Sequence, residues 1–156
     1  MFRVTIQHTA DRSVIKLAGA INHTSADDFA RAFEDLRPSV ELDLHEVTSI
    51  SSYGVGLLIR HLSPASKHHK IEFARCSETM VDQFQMLQFR AYGRITSFRA
   101  RYACPQCQRT DSVLLEVDKL AVDKRSRQVS APVYPCVCGG RLEVDDSLEF
   151  VVEHTQ

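Results

Sequence analysis

Thr48-Ser49-Ile50-Ser51-Ser52-Tyr53-Gly54-Val55-Gly56 joins two stretches of different periodicity, and its reading decides the fold. Upstream, Val40, Leu42 and Leu44 alternate with Glu41, Asp43 and His45, the period-two pattern of a strand with one face on a core. Downstream, Val55, Leu58, Ile59 and Leu62 recur at helical spacing up to about Ser66. Ser51 to Gly54 therefore stand at a helix N-terminus. The first backbone N–H groups there lack partners within the helix, and the peptide dipoles add partial positive charge. An anion or a phosphorylated hydroxyl is stabilised at such a place, and a glycine at position 54 lets another backbone come close. The plainer reading of Ser51 or Ser52 is an N-cap.

Working outward from this turn, Phe2, Val4 and Ile6 alternate with polar neighbours, Ala10-Asp11-Arg12 reads as a turn, and Val14 to Leu17 is apolar. The chain thus opens on a hairpin. Thr24-Ser25 followed by Asp27 and Asp28 marks a helix start, with Phe29, Ala30, Phe33 and Leu36 as its apolar stripe and Pro38 closing it. Lys67 to Lys70 is a polar loop, Ile71 and Phe73 belong to another strand, and Ser77 caps a third helix whose buried face is Met80, Val81, Phe84 and Leu87. Strands alternating with helices imply crossover connections and parallel pairs. The fold class is α/β, a mixed sheet covered by helices on one face.

Val14 to Asn22 with its Gly19, then Leu42-Asp43-Leu44 through Ser51-Ser52-Tyr53-Gly54-Val55-Gly56, resembles the STAS domain of bacterial anti-sigma-factor antagonists. The resemblance implies a phosphorylated serine at Ser52, the following glycine at Gly54, and Asn22 in the facing loop where the family often has an acidic residue. It also implies a protein partner, an anti-sigma factor that is a serine kinase or another signalling assembly. Ser51 stands where the family has an aspartate, and many relatives use the fold as a scaffold subunit of a larger assembly without phosphorylation. Relatives of the fold also include accessory subunits of lipid transport.

From Phe89 the pattern changes. Ile95 to Tyr102 reads as a strand running into Cys104-Pro105-Gln106-Cys107, Val113 to Val117 as another strand, and Asp118 to Ser130 as a polar mobile loop before Cys136-Val137-Cys138-Gly139-Gly140. Two cysteine pairs flanked by short strands make a small β zinc-ribbon domain, in which Cys104, Cys107, Cys136 and Cys138 hold one structural zinc. Four thiolates must converge at about 2.3 Å from the metal, and two tight turns deliver two each. Iron, or a redox dithiol at Cys104 and Cys107, is the competing chemistry, but a thioredoxin-type dithiol belongs in a strand-to-helix turn. Only His154 of the seven histidines lies in this half, so four cysteines are the economical ligand set. The chain is expected to divide into a STAS-like domain over 1–92 and a zinc-ribbon domain over 93–156. As a whole it also resembles bacterial proteins in which a STAS-like domain is followed by a cysteine-paired ribbon.

Nineteen Lys and Arg against twenty Asp and Glu give a net charge of −1, so no bulk attraction to nucleic acid or anionic membrane is expected. Met1-Phe2-Arg3 does not open a secretory signal and no apolar run reaches membrane-spanning length, so a cytoplasmic protein without membrane insertion is expected. No catalytic constellation stands out. His45 and Glu46 point to opposite faces of a strand, His68-His69 sit in a solvated loop, and Cys76 and Met80 belong to the core. The expected function is a non-enzymatic regulatory protein-interaction module switched at Ser52. The reading from a different class is a nucleic-acid-binding ribbon, because Arg90, Arg94, Arg99 and Arg101 interleave with Phe89, Tyr92, Phe98 and Tyr102.

Overall fold

The computed structural model describes residues 1–155. β1 (Arg3–His8) and β2 (Arg12–Ile21) form the opening hairpin; a 3-10 turn at His23–Ser25 leads into α1 (Ala26–Ala32). β3 (Ser39–Ile50), α2 (Ser52–Ala65), β4 (Lys70–Ala74), α3 (Glu78–Met86) and β5 (Arg94–Ile95) follow. The five strands lie in the order β1-β2-β3-β4-β5. β1 runs antiparallel to β2 and every other pair is parallel. Arg94–Ile95 therefore belongs to this sheet although it lies past residue 92.

Period-two patterning accounts for the sheet's two faces. Ile6, Ile15, Leu42, Phe73 and Ile95 occupy one cross-strand row, and all but Ile6 are buried. The adjacent row, Val14, Glu41, Glu72 and Arg94, is bound by charge. Arg12 reaches Glu41 at 2.6 Å and Glu72 at 3.6 Å, and Arg94 reaches Glu72 at 3.3 Å. Two glutamates on neighbouring strands would repel, and two arginines offset this. Helices cover the apolar face, while the other face carries ion pairs.

The helices differ in detail from their expected stripes. The 3-10 turn before α1 shifts its phase, so Phe29 and Ala32 are buried while Ala30 is exposed. In α3, Met80, Val81 and Phe84 are buried, but Leu87 leaves the helix in an extended conformation and is 36% exposed.

The remaining chain builds a second sheet from β6 (Ser97–Ala103), β7 (Thr110–Glu116), β10 (Tyr134–Pro135) and β11 (Arg141–Val144), in the order β10-β11-β6-β7 and wholly antiparallel. β8 (Ala121–Asp123) and β9 (Gln128–Ser130) form a separate hairpin inside the stretch expected to be a mobile loop. Its turn is held by Asp123, which accepts from the backbone N–H groups of Arg125 and Ser126. Arg127, in the left-handed region at φ 59°, reaches Glu149 and Glu153 of the final 3-10 segment, both at 2.7 Å.

The two sheets share one core. Cys76 bridges Phe98, Cys76 N donates to Ser97 O at 3.0 Å, and Arg99 N donates to Cys76 O at 2.8 Å. Phe98 packs edge-on against Phe150 of the closing segment, Glu149–His154. His154 is buried and its Nδ1 accepts from Ile95 N at 3.0 Å, which requires the neutral ring. Burial, with Arg94 and Arg90 adding to it and Glu153 opposing, lowers its pKa to about 4. The unfolded chain therefore binds a proton that the folded chain refuses. His154's contribution is complete above about pH 6.5 and is lost as pH falls toward 4. Stability measured by urea melts should drop over this window by roughly 3 kcal/mol, and His154→Gln, which keeps an acceptor but cannot titrate there, should flatten this part of the profile.

Candidate functional site

The turn that follows β3 is clamped to the end of β2. Ser51 is the N-cap of α2, with φ −84° and ψ 169°, and its Oγ accepts from Gly54 N at 3.1 Å. Ser51 N donates to Ile21 O at 2.9 Å. A Cβ on Gly54 would lie 2.3 Å from that same Ile21 oxygen, so the glycine is what lets the helix's first turn meet the strand. The capping role thus falls to Ser51. Ser52, at the first helical position, is exposed, and its hydroxyl has no hydrogen-bond partner among the described residues. Ser51→Ala should cost about 1 kcal/mol in a urea melt, whereas Ser52→Ala should stay within about 0.5 kcal/mol.

Asn22 lies beside this turn, because Ile21 and Ile50 are paired and the two chain segments leave the sheet together. Its side-chain oxygen caps the 3-10 turn, accepting from Thr24 N at 2.9 Å and Thr24 Oγ1 at 2.6 Å. Ser51, Ser52, Gly54 and Asn22 are thus brought to one end of the sheet. From there the exposed positions Ser52, Gly56, Arg60 and Pro64 run along α2 at i, i+4 spacing. A Cβ at Gly56 would meet nothing within 4 Å, so this stripe is open and low in relief.

At the far end of the second sheet, Cys104, Cys107, Cys136 and Cys138 converge, with their four sulfurs within 4.8 Å of one another. Cys104 Sγ is 3.6 Å from Cys138 Sγ, and Cys107 Sγ is 3.6 Å from Cys136 Sγ. Each pair sits in a tight turn. Gln108 N donates to Cys104 O and Gly139 N donates to Cys136 O, with Gln108 at φ 62° and Gly139 at φ 91°. The backbone amides of Cys107 and Gln106 pull the Cys104 thiol down to about 6. The amide of Gly140 acts in the same direction on Cys138, but the sulfurs of Cys107, Cys104 and Cys136 outweigh it and push that thiol up to about 12. Four thiolates this close repel unless a cation sits among them, and the donor set fits a tetrahedral metal ion.

Gly140, half of the glycine pair from which the sequence predicts a turn, has a second role that spacing does not reveal. A Cβ there would lie 3.1 Å from Cys104 Sγ, 3.3 Å from Cys138 Sγ and 2.8 Å from Gln106 Oε1, and its N–H donates to Cys138 Sγ at 3.4 Å. The signal was present in the Gly139-Gly140 pair, where the first glycine makes the turn and the second leaves room for the sulfurs.

The interleaved arginines and aromatics do not form a stacking surface. Phe89, Phe98 and Tyr102 are buried. Arg101 is held by Asp82 and Asp146 at 3.1 and 3.2 Å, Arg94 by Glu72 and Asp118, and Arg90 by Glu153. The histidine loop is less solvated than expected: His68 is exposed, but His69 Nδ1 contacts Arg37 O at 2.7 Å. His45 is half-buried, with its Nδ1 lacking a partner among the described residues. Cys76 is fully buried, which pushes its thiol up and leaves it unreactive.

Comparison with known proteins bears on the first sheet. An anti-sigma factor antagonist from Mycobacterium paratuberculosis superposes with a TM-score of 0.53 at 14% identity, covering 61% of this chain and 85% of that one. The anti-sigma factor antagonist SpoIIAA in its unphosphorylated form gives a TM-score of 0.45 at 19% identity, covering 61% and 87%. No curated protein sequence matches the chain. No helix among the described residues is long and apolar enough to cross a membrane. The family model described as "Mlab, STAS domain" matches residues 4–92, more than half of the chain, and the protein belongs to the STAS family.

Proposed function

We propose that the protein is a non-catalytic, cytoplasmic regulatory module that docks a protein partner through the Ser51–Gly54 turn and the exposed stripe of α2, and that phosphorylation of Ser52 switches this contact. The observation that carries the reading is the division of labour at the turn. Ser51 caps the helix and leaves the exposed Ser52 hydroxyl available. A phosphate there would add nearly two negative charges beside the helix N-terminus without disturbing the cap. Anti-sigma factor antagonists share this fold, so an anti-sigma factor with serine kinase activity, or a comparable signalling assembly, is the partner class to test. The four cysteines then hold one structural zinc, the ion best matched to a four-thiolate tetrahedral set, and the ribbon that follows β5 acts as an extension of the interaction domain.

The test is the native mass of the protein from its own cells, with phosphopeptide mapping across Ser52. A mass excess for one zinc and a phosphate on Ser52 is expected. In binding measurements with the recovered partner, Ser52→Asp should change affinity by roughly tenfold or more. If Ser52 stays unmodified under every growth condition and Ser52→Asp binds as the wild type does, the protein is a constitutive STAS scaffold subunit recognised by shape.

A further inference from the structure

β7 is an open edge. It lies last in its sheet, five of its seven residues are exposed, and Leu114 is 39% exposed. Val117 N donates to Thr96 O and Cys104 N donates to Arg109 O, both at 2.9 Å, so the odd-numbered residues of the strand turn their backbone groups toward β6. Thr110, Ser112, Leu114 and Glu116 accordingly aim theirs outward. Among the described residues only Ser112 N of these four donors is held, by Asp111 Oδ1 at 2.9 Å.

Natural sheets blunt such edges with Lys, Pro, a bulge or very short strands. The other edges here follow that rule. β5 and β10 are two residues long, and β10 contains Pro135. β1 bears Arg3 and His8 at its ends, which two-fold pairing would set face to face. β7, Thr-Asp-Ser-Val-Leu-Leu-Glu, is seven residues long with no Lys or Pro, and its two charges, Asp111 and Glu116, would face the uncharged Leu115 and Thr110 if the strand paired with its own copy.

We propose that β7 pairs antiparallel with β7 of a second copy of this chain, giving a dimer with a continuous eight-stranded sheet. The two-fold register that uses all seven residues is centred on Val113. It sets Thr110 opposite Glu116, Asp111 opposite Leu115 and Ser112 opposite Leu114, so no like charges meet. In this register the outward residues 110, 112, 114 and 116 are those that exchange hydrogen bonds, matching the directions their backbone groups already take. The two Leu114 side chains become diagonal neighbours on one face and cover each other. The stretch is its own complement, which selects a second copy over an unrelated extended peptide. The two four-cysteine sites then lie at opposite ends of the shared sheet.

Sedimentation of the full chain with its metal bound tests this. The wild type should show a concentration-dependent dimer. Leu114→Pro removes one outward donor per protomer without touching a bond to β6, and proline is tolerated at such edge positions; it should weaken the dimer about tenfold or more at unchanged metal content. Leu114→Lys, which adds a charge to each side of the pair, gives the same readout if the proline variant folds poorly. A wild type that stays monomeric up to about 100 μM, a dimer untouched by these changes, or a monomer whose β7 instead takes up an extended peptide of another protein would each overturn the proposal.

Discussion

Cys104→Ser in the full chain is expected to unfold the second sheet from its cysteine end and to lower the melting temperature by about 10 °C or more. Cys104 is the appropriate site because it is buried, ends the chain leaving β6, and has its sulfur 3.6 Å from Cys138 Sγ. Without the metal the two turns have no common centre, and β10 and β11, of two and four residues, are too short to hold their pairing by backbone bonds alone. The loss should stop partway. β6 is anchored at its other end by the Cys76 bridge and by Phe98 against Phe150, so the first sheet should persist. Limited proteolysis checks this directly: cleavage should become rapid at Arg109 and Arg141 and remain slow at Lys16 and Arg60. Exhaustive chelation of the wild type should reproduce the same pattern. If the Ser variant melts as the wild type does and resists protease equally, the four cysteines are not a folding site.

What was legible in the sequence was whatever local periodicity or spacing encodes. Leu42 and Phe73 announce their rows through alternation, and the two cysteine pairs announce their turns. Where a signal spans too few residues, it disappears. Each strand of the β8–β9 hairpin is three residues long with one partly buried position, Val122 or Val129, so alternation has nothing to repeat, and the turn depends on an Asp123 side chain whose partners are backbone groups. Helix phase is equally fragile. Counting from Thr24-Ser25 makes Ala30 a core residue, but those residues form a 3-10 turn, and the change from three to 3.6 residues per turn rotates Ala32 inward instead.

Long-range pairing was the least legible of all. Arg101 reads as a free cation along a strand, yet it meets Asp82 and Asp146, residues 19 and 45 positions away. The division of roles at the turn lay between these cases. The pattern placed Ser51 and Ser52 at the start of a helix, but only the bond from Gly54 N to Ser51 Oγ says which of them caps it. That distinction decides which hydroxyl remains for chemistry.

Gly54→Ala should destabilise the protein by about 3 kcal/mol, the upper part of the range for forcing one extra group into a packed site. The added Cβ would stand 2.3 Å from Ile21 O and 2.9 Å from Ile21 C. Neither is the end of a flexible side chain. Ile21 is the last residue of β2, is paired with Ile50, and its oxygen already accepts from Ser51 N. Relief therefore requires the start of α2 to swing away from the sheet, stretching the Ser51 bond and the cap together. Gly56→Ala serves as the control, since it lies in the same helix, meets nothing within 4 Å, and should gain up to about 1 kcal/mol by restricting the unfolded chain and raising helix propensity. Opposite signs for two glycines two residues apart separate close approach from helix propensity. Equal signs would mean that α2 can shift freely, and the clamp between Ile21 and the Ser51–Gly54 turn would then not hold Ser52 in a fixed place.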